Sequence, residues 1–159
     1  MSGDVTIAPC PIDDPGLLKL LAIHKAFAIA NTPEDSGHAL SPDEALPETL
    51  RYILAMRDGE AVGCVGLMEI EPGHGEIKSM HVREAARGLG LGQQLLDAAL
   101  CMAEARGFAR VSLETGRGEG FAASRRLYER CGFEVCAPFG AYRHDPFSVC
   151  MTWNVSRET

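Results

Sequence analysis

The sequence predicts a protein of the α+β class with mixed helices and strands. Three strand-like runs, Arg51–Arg57, Ala61–Ile70 and Gly75–Val82, follow one another through tight turns. A doubly wound nucleotide-binding fold is therefore excluded, because that fold places a helix between successive strands. A glycine-rich turn and a helix extending to Arg106 come next, and the predicted order of elements is β-αα-βββ-α-β-α-ββ.

The first elements are a short strand and two helices. Val5–Pro9 alternates as an edge strand does, and a stripe of apolar residues predicts a helix from about Asp14 to Ala30. One of the two adjoining aspartates at its start is the expected N-cap. Ser41-Pro42-Asp43-Glu44 combines a capping serine, proline at the first helical position and glutamate at the third, so a short second helix is predicted to end before Pro47.

Turn signals separate the remaining elements. Asp58-Gly59 predicts a tight hairpin between the second and third strands. A further strand is predicted at Arg110–Glu114 and a helix from about Gly120 to Gly132, where glycine suits the left-handed end of a helix. Phe133–Pro138 and Ser148–Asn154 are predicted to be the last two strands.

Composition places the chain among ordinary globular proteins. It has 159 residues, 46% of them hydrophobic, and a net charge of −7, so one domain over residues 1–159 is predicted and nonspecific nucleic-acid binding is disfavoured. No uninterrupted apolar run approaches membrane-spanning length. The six cysteines include no Cys-x-x-Cys pair and no histidine at zinc-finger spacing. We therefore expect a cytoplasmic protein with reduced thiols, no metal site and no membrane partner.

The segment between the predicted strand Gly75–Val82 and the helix extending to Arg106 carries the clearest functional signal. It reads Arg87-Gly88-Leu89-Gly90-Leu91-Gly92-Gln93. Alternate glycines clear the turn of side chains, so that backbone N–H groups and the positive end of the following helix can face one anion, and we expect a pyrophosphate. A P-loop is excluded because no Lys-Ser or Lys-Thr follows, and the dinucleotide fingerprint is one residue too long for this spacing.

Three blocks in order resemble the GNAT (Gcn5-related) N-acetyltransferase superfamily over roughly residues 50–155. The loop matches its Arg/Gln-x-x-Gly-x-Gly/Ala pattern, Glu76–Val82 resembles its fourth strand, and Ala123–Phe133 resembles its Leu-Tyr-x-x-x-Gly-Phe helix. More narrowly, Ser112–Gly116 and Asp145–Val149 resemble a bacterial YsnE-like group. The resemblance implies a central, mostly antiparallel twisted sheet of six to seven strands, flanked by about four helices.

The resemblance also implies acetyl-CoA as co-substrate, with its pyrophosphate on the glycine loop. Residues Met80, His81 and Val82 would contact the pantetheine arm, and a backbone N–H among them would polarise the thioester carbonyl. Tyr128 would protonate the departing thiolate, although a tyrosine packed in the core is the alternative. Many relatives have asparagine where this chain has Phe121, so the contact of that asparagine is lost or is replaced by Ser124.

Two carboxylates are candidates for the general base. Glu76 begins the strand leading to the loop, as in relatives that use a glutamate base, but it could instead form a surface pair with Lys78. Glu69 is the second candidate. Regular alternation would put His81 on the opposite face of the strand from Glu76, unless a bulge between Met80 and Val82 breaks the alternation.

The acceptor is expected to enter opposite the coenzyme. His38, Tyr142 and Phe147 are predicted to line its pocket, although the later residues could instead stabilise a loop or form a homodimer surface. The acidic chain favours a cationic acceptor. The predicted function is acetyl transfer from acetyl-CoA to a primary amine of a small molecule, by direct attack in a ternary complex. The alternatives are a protein or peptide acetyltransferase and a non-catalytic acyl-CoA-binding module.

Overall fold

A seven-stranded twisted sheet forms the centre of the computed structural model, which describes residues 4–31, 48–140 and 142–155. The strands lie in the order β1-β2-β3-β4-β5-β7-β6, and every neighbouring pair is antiparallel except β4 and β5. The predicted fold class is thus confirmed. The strands are β1 Val5–Cys10, β2 Arg51–Arg57, β3 Glu60–Glu71, β4 His74–Val82, β5 Arg110–Gly116, β6 Glu134–Cys136 and β7 Ser148–Asn154.

Three α-helices pack on this sheet within the described ranges: α1 Pro15–Ala30, α2 Leu91–Ala105 and α3 Ala122–Arg130. Single 3-10 turns, Glu84–Ala86 and Glu119–Phe121, precede α2 and α3. The second helix predicted to start at Ser41 lies outside the described residues. None of the helices in the described part of the chain combines the length and the apolar character needed to cross a membrane.

The sheet buries a different helix on each face. Helix α2 covers the larger core, in which Leu95 and Leu96 pack against Val65, Leu67 and other strand residues. Helix α1 covers the second core on the opposite face. The two cores fix which side chains of each strand face α1 and which face α2, because successive residues of a strand point to opposite faces.

Strand β4 changes its alternation in the middle, and this irregularity positions the functional site. Lys78 pairs with Gly66 while His81 pairs with Cys64, so two residues of β4 oppose the single residue Val65 of β3. Ser79, at this bulge, has a φ of 50°, an uncommon conformation for a residue other than glycine. The bulge therefore comprises Ser79 and Met80, whereas the predicted break lay between Met80 and Val82.

The bulge corrects the expectation for His81 under regular alternation. Glu76 lies opposite Met68, and His81 lies opposite Cys64. Both of these β3 residues belong to the core beneath α1. Because cross-strand partners share a face of the sheet, Glu76 and His81 are on the same face, the α1 side.

Two local predictions are confirmed. Asp58 and Gly59 have φ values of 52° and 78° in the turn between β2 and β3, as a type I′ hairpin turn requires. Asp14 is the N-cap of α1, and its carboxylate accepts a hydrogen bond from the backbone N–H of Leu17 at 3.0 Å.

We expect Asp14→Ala to lower the free energy of unfolding by about 1 kcal/mol, because the N–H of Leu17 would lose its acceptor. Urea denaturation followed by circular dichroism would measure the change. Asp13→Ala is the matched control, since the neighbouring aspartate makes no cap hydrogen bond to α1. Equal losses in the two variants would contradict a capping role for Asp14.

Candidate active site

A cavity of about 480 Å³ lies where β4 and β5 separate. The two strands pair only from His74 to Glu76 on β4, opposite Arg110 to Ser112 on β5. Beyond Glu76 they diverge, and the gap is lined by residues of both strands, by α1, by the start of α2 and by α3. One cavity thus brings together the glycine loop, the β4 bulge and helix α3, which carries Tyr128.

The glycine loop forms the α2 end of this cavity. Gly88 and Gly90 have φ values of 82° and 79°, and α2 begins immediately afterwards at Leu91. The first N–H groups of a helix have no partner within the helix, so those of Leu91, Gly92 and Gln93 are available to a ligand. All the residues from Arg87 to Gln93 line the cavity except Leu89, which is half exposed.

The chemistry of this loop fits the pyrophosphate of a coenzyme. A Cβ added at Gly88 or Gly90 would meet no atom within 4 Å, but the positive φ of both residues disfavours any side chain. Arg87 lines the cavity beside them, and its Nε donates a hydrogen bond to the carbonyl oxygen of Val82 at 3.1 Å. Its guanidinium carbon lies 5.9 Å from the centre of the Phe27 ring.

Helix α3 brings Tyr128 and Ser124 to the same cavity. Tyr128 is buried beside Phe133, with ring centres 5.9 Å apart, and burial raises the pKa of its phenol. Phe121, which replaces the asparagine of many relatives, packs edge-on against Phe27 at 5.4 Å and also lines the cavity. This part of the wall is therefore aromatic.

Glu76 belongs to a partly buried polar cluster with Lys78 and Tyr142. The Tyr142 hydroxyl donates to Glu76 Oε2 at 2.6 Å. The Lys78 ammonium donates to Glu76 Oε2 at 3.3 Å and to the Tyr142 oxygen at 3.0 Å. Burial and the Glu76 charge raise the pKa of Tyr142. Lys78 and Tyr142 line the cavity, whereas Glu76 lies behind them and does not.

Glu114 also lines the cavity, although it is not among the predicted catalytic residues. It lies on β5 opposite Cys150 of β7. Burial raises its pKa to about 7, the nearby Lys78 partly offsets this effect, and the charges of Glu76 and Asp145 add to it. A carboxylate with a pKa near neutrality on a cavity wall is suited to proton transfer.

A sequence signal for Glu114 did exist. Ser112 and Glu114 alternate along the predicted strand, and Ser112 pairs with Glu76 across β4 and β5. Side chains two residues apart on a strand share a face, so Glu114 follows Ser112 towards the region where the strands part. The sequence could not show that the strands diverge there, and for that reason Glu114 resembled any other strand residue.

Of the remaining predicted site residues, some line the cavity and others do not. Phe147 lines the cavity and is 50% exposed. Glu69 does not line it, and its carboxylate instead accepts a hydrogen bond from the backbone N–H of Gly73 at 3.1 Å in the β3–β4 turn. His38 lies outside the described residues. Met80 and Val82 line the cavity beside the bulge.

His81 contacts a second histidine on the cavity wall. Its Nδ1 lies 3.2 Å from Nδ1 of His24 in α1. Burial lowers the pKa of both imidazoles to about 4, and the neighbouring Arg87 and Arg83 contribute to the shift of His81. Both rings are therefore neutral at pH 7, and the pair connects α1 to the β4 bulge.

Comparison with known proteins agrees with this geometry. The sequence pattern of the Acetyltransferase (GNAT) family matches residues 19–133. The uncharacterized N-acetyltransferase YsnE of Bacillus subtilis (strain 168) is 40% identical over 121 residues, which cover 76% of this chain and 80% of YsnE. The IAA acetyltransferase of Azospirillum brasilense is 37% identical over 121 residues, 75% of this chain and 77% of that protein.

The fold agrees as well. A crystal structure from Klebsiella pneumoniae subsp. pneumoniae superposes with a TM-score of 0.80 and 30% sequence identity, covering 94% of this chain and 97% of that one. The family match spans well over half of the chain, and the relatives match over most of their own length. The chain therefore belongs to the acetyltransferase (GNAT) family and is an acyltransferase.

Proposed function

We propose that residues 1–159 form one N-acetyltransferase domain that transfers the acetyl group of acetyl-CoA to a primary amine of a small molecule. The observation that carries this proposal is one cavity of about 480 Å³ that contains both an anion-binding turn and a carboxylate with a pKa of about 7. The turn suits the coenzyme, and the carboxylate suits an amine that must lose a proton. Transfer in a ternary complex requires both within one cavity.

Coenzyme binding is assigned to the loop from Arg87 to Gln93, to the β4 residues Met80, His81 and Val82, and to Ser124. Acetyl-CoA supplies the activated thioester. The loop N–H groups and the Arg87 guanidinium offer positive charge to the pyrophosphate. A backbone N–H at the β4 bulge would stabilise the charge that develops on the thioester oxygen.

Glu114 is our candidate for the general base. An alkylammonium ion with a pKa near 10.4 leaves roughly one neutral amine in a few thousand at pH 7, so a proton acceptor near the nucleophile is needed. Glu114 lines the cavity and has a pKa of about 7, whereas Glu76 does not line the cavity. In this proposal Glu76 positions Tyr142 and Lys78 rather than accepting the proton itself.

Tyr128 is assigned as the general acid. Its hydroxyl is on a cavity-lining residue and carries a proton at neutral pH. On the acceptor side we assign Tyr142 and Phe147, and Lys78 donates hydrogen bonds to both Tyr142 and Glu76. The exposed Phe147 ring offers apolar contact to the body of the acceptor.

Calorimetry with acetyl-CoA, followed by a thiol-release assay over a panel of primary amines, tests the function. We expect saturable acetyl-CoA binding and thiol release that depends on a small amine. Turnover only on peptides would support a protein acetyltransferase instead. Acetyl-CoA binding without turnover on any amine or peptide would support a non-catalytic acyl-CoA-binding module.

The loop itself gives a further prediction. Gly90→Ala is expected to raise the Kd for acetyl-CoA by about tenfold, because a side chain at a φ of 79° costs about 1–2 kcal/mol and shifts the adjacent N–H groups. Isothermal titration calorimetry would measure the change in Kd.

Gly73→Ala is the matched control for this loop variant. Gly73 has the same φ of 79°, equally open space for a Cβ, and a position in the β3–β4 turn away from the cavity. It should lose stability without losing acetyl-CoA affinity. The same affinity for Gly90→Ala as for the unmodified protein would argue against coenzyme binding at this loop.

A further inference from the structure

Two of the six cysteines lie directly opposite each other at one edge of the sheet. Cys136 of β6 and Cys150 of β7 are partners in an antiparallel ladder. Opposite residues in such a ladder have Cα atoms about 4.5–5.5 Å apart and share a face, which falls within the range of about 4.4–6.8 Å found in disulfides. Both thiols are free in this structure.

The surroundings of the two thiols differ. Cys136 is partly exposed on the three-residue edge strand β6, next to Val135, which is 68% exposed. Cys150 is buried on β7, and burial raises the pKa of its thiol to about 11. Cys136 is therefore the thiol that a small oxidant in solution reaches first, and Cys150 is positioned to resolve the oxidised product.

We propose that Cys136 and Cys150 form a reversible disulfide when the protein meets a hydroperoxide. The Cys136 sulfur attacks the peroxide oxygen, which gives a sulfenic acid and releases an alcohol, or water from hydrogen peroxide. The Cys150 sulfur then displaces water from the sulfenic acid and forms the S–S bond. Both thiols are oxidised, the peroxide is reduced, and the two thiol protons leave in the water and alcohol produced.

The bond would close the segment between β6 and β7 into a ring. This segment carries Tyr142 and Phe147, two residues that line the cavity. Cys150 is also the cross-strand neighbour of Glu114. Oxidation would thus restrain the segment that contributes Tyr142 and Phe147 without touching the glycine loop at the other end of the cavity.

Treatment of the folded, full-length protein with hydrogen peroxide, followed by peptide mapping under non-reducing conditions, tests the proposal. We expect a linked pair of peptides containing Cys136 and Cys150, two hydrogens lighter than the sum of the free peptides and separated again by dithiothreitol. The loop closed is about 15 residues, so the Tm should rise by about 6–12 °C on oxidation. These readouts do not depend on the proposed enzymatic function.

Two single variants and one control show whether Cys136 and Cys150 form the link. Cys136→Ser and Cys150→Ser should each lose both the link and the rise in Tm. Cys101→Ser, at an exposed cysteine on α2, should keep both. The inference is overturned if oxidised wild-type protein contains no Cys136–Cys150 link, if another cysteine takes its place, or if the rise in Tm persists in Cys136→Ser.

Discussion

Glu114→Gln is expected to lower kcat/KM for the acceptor amine by about 10²–10⁴-fold, the usual contribution of a general base. Glutamine keeps the shape of the side chain but cannot take the proton of the ammonium group. Acetyl-CoA affinity should stay within about twofold in this variant, because the assigned coenzyme contacts lie elsewhere in the cavity. Thiol release at saturating acetyl-CoA and varied amine measures the first quantity, and calorimetry measures the second.

The dependence on pH distinguishes this role from a structural one. Burial raises the pKa of Glu114 to about 7, so the carboxylate is protonated and inactive as a base below that pH. With an amine whose own pKa is near 10, ionisation of the acceptor affects wild type and variant equally. The ratio of wild-type to variant kcat/KM should therefore be constant above about pH 8 and fall about tenfold per unit below about pH 6.

Two further variants control for Glu114. Glu134→Gln, at an exposed position of β6, should leave the kinetics and the pH profile unchanged. Glu76→Gln tests the alternative base, and in our assignment it weakens acceptor binding because Tyr142 and Lys78 lose their charged partner. The role of base would pass to Glu76 if the ratio of wild-type to variant kcat/KM did not change with pH for Glu114→Gln but did so for Glu76→Gln.

Tyr128→Phe is expected to lower kcat at least about tenfold, because the departing thiolate would lose its proton donor. The substitution removes only the hydroxyl, so the ring should keep its packing against Phe133 and the fold should be retained. Acetyl-CoA affinity should change little. Single-turnover thiol release under saturating acetyl-CoA would measure the chemical step directly.

Tyr52→Phe is the control for Tyr128. It also removes a buried phenol hydroxyl, but Tyr52 belongs to the core beneath α1 and does not line the cavity. It should keep the wild-type turnover. Unchanged single-turnover rates in Tyr128→Phe would show that the thiolate takes its proton from another donor.

Much of the architecture follows from local sequence signals. Asp14 caps its helix and Asp58-Gly59 turns its hairpin because capping and left-handed turns depend on residues that are neighbours in the chain. The three consecutive strands exclude a doubly wound sheet, because the tight turns that join them are also local features of the sequence. The glycine loop and the Tyr128 helix were also apparent, since each is a short motif whose spacing carries its own meaning.

Relations between distant segments decided the rest. The bulge at Ser79 brings His81 to the face of Glu76, because β4 has one more residue than β3 between the pairs Lys78–Gly66 and His81–Cys64. Tyr142 engages Glu76 across 66 residues of sequence, a pairing that no local spacing encodes. Local sequence signals thus predicted the fold class, the glycine loop and the helix of Tyr128, whereas the divergence of β4 and β5 decided that Glu114 rather than Glu76 lines the cavity. Burial and the pKa that results from it depend on which distant strands separate, and that is a property of tertiary packing.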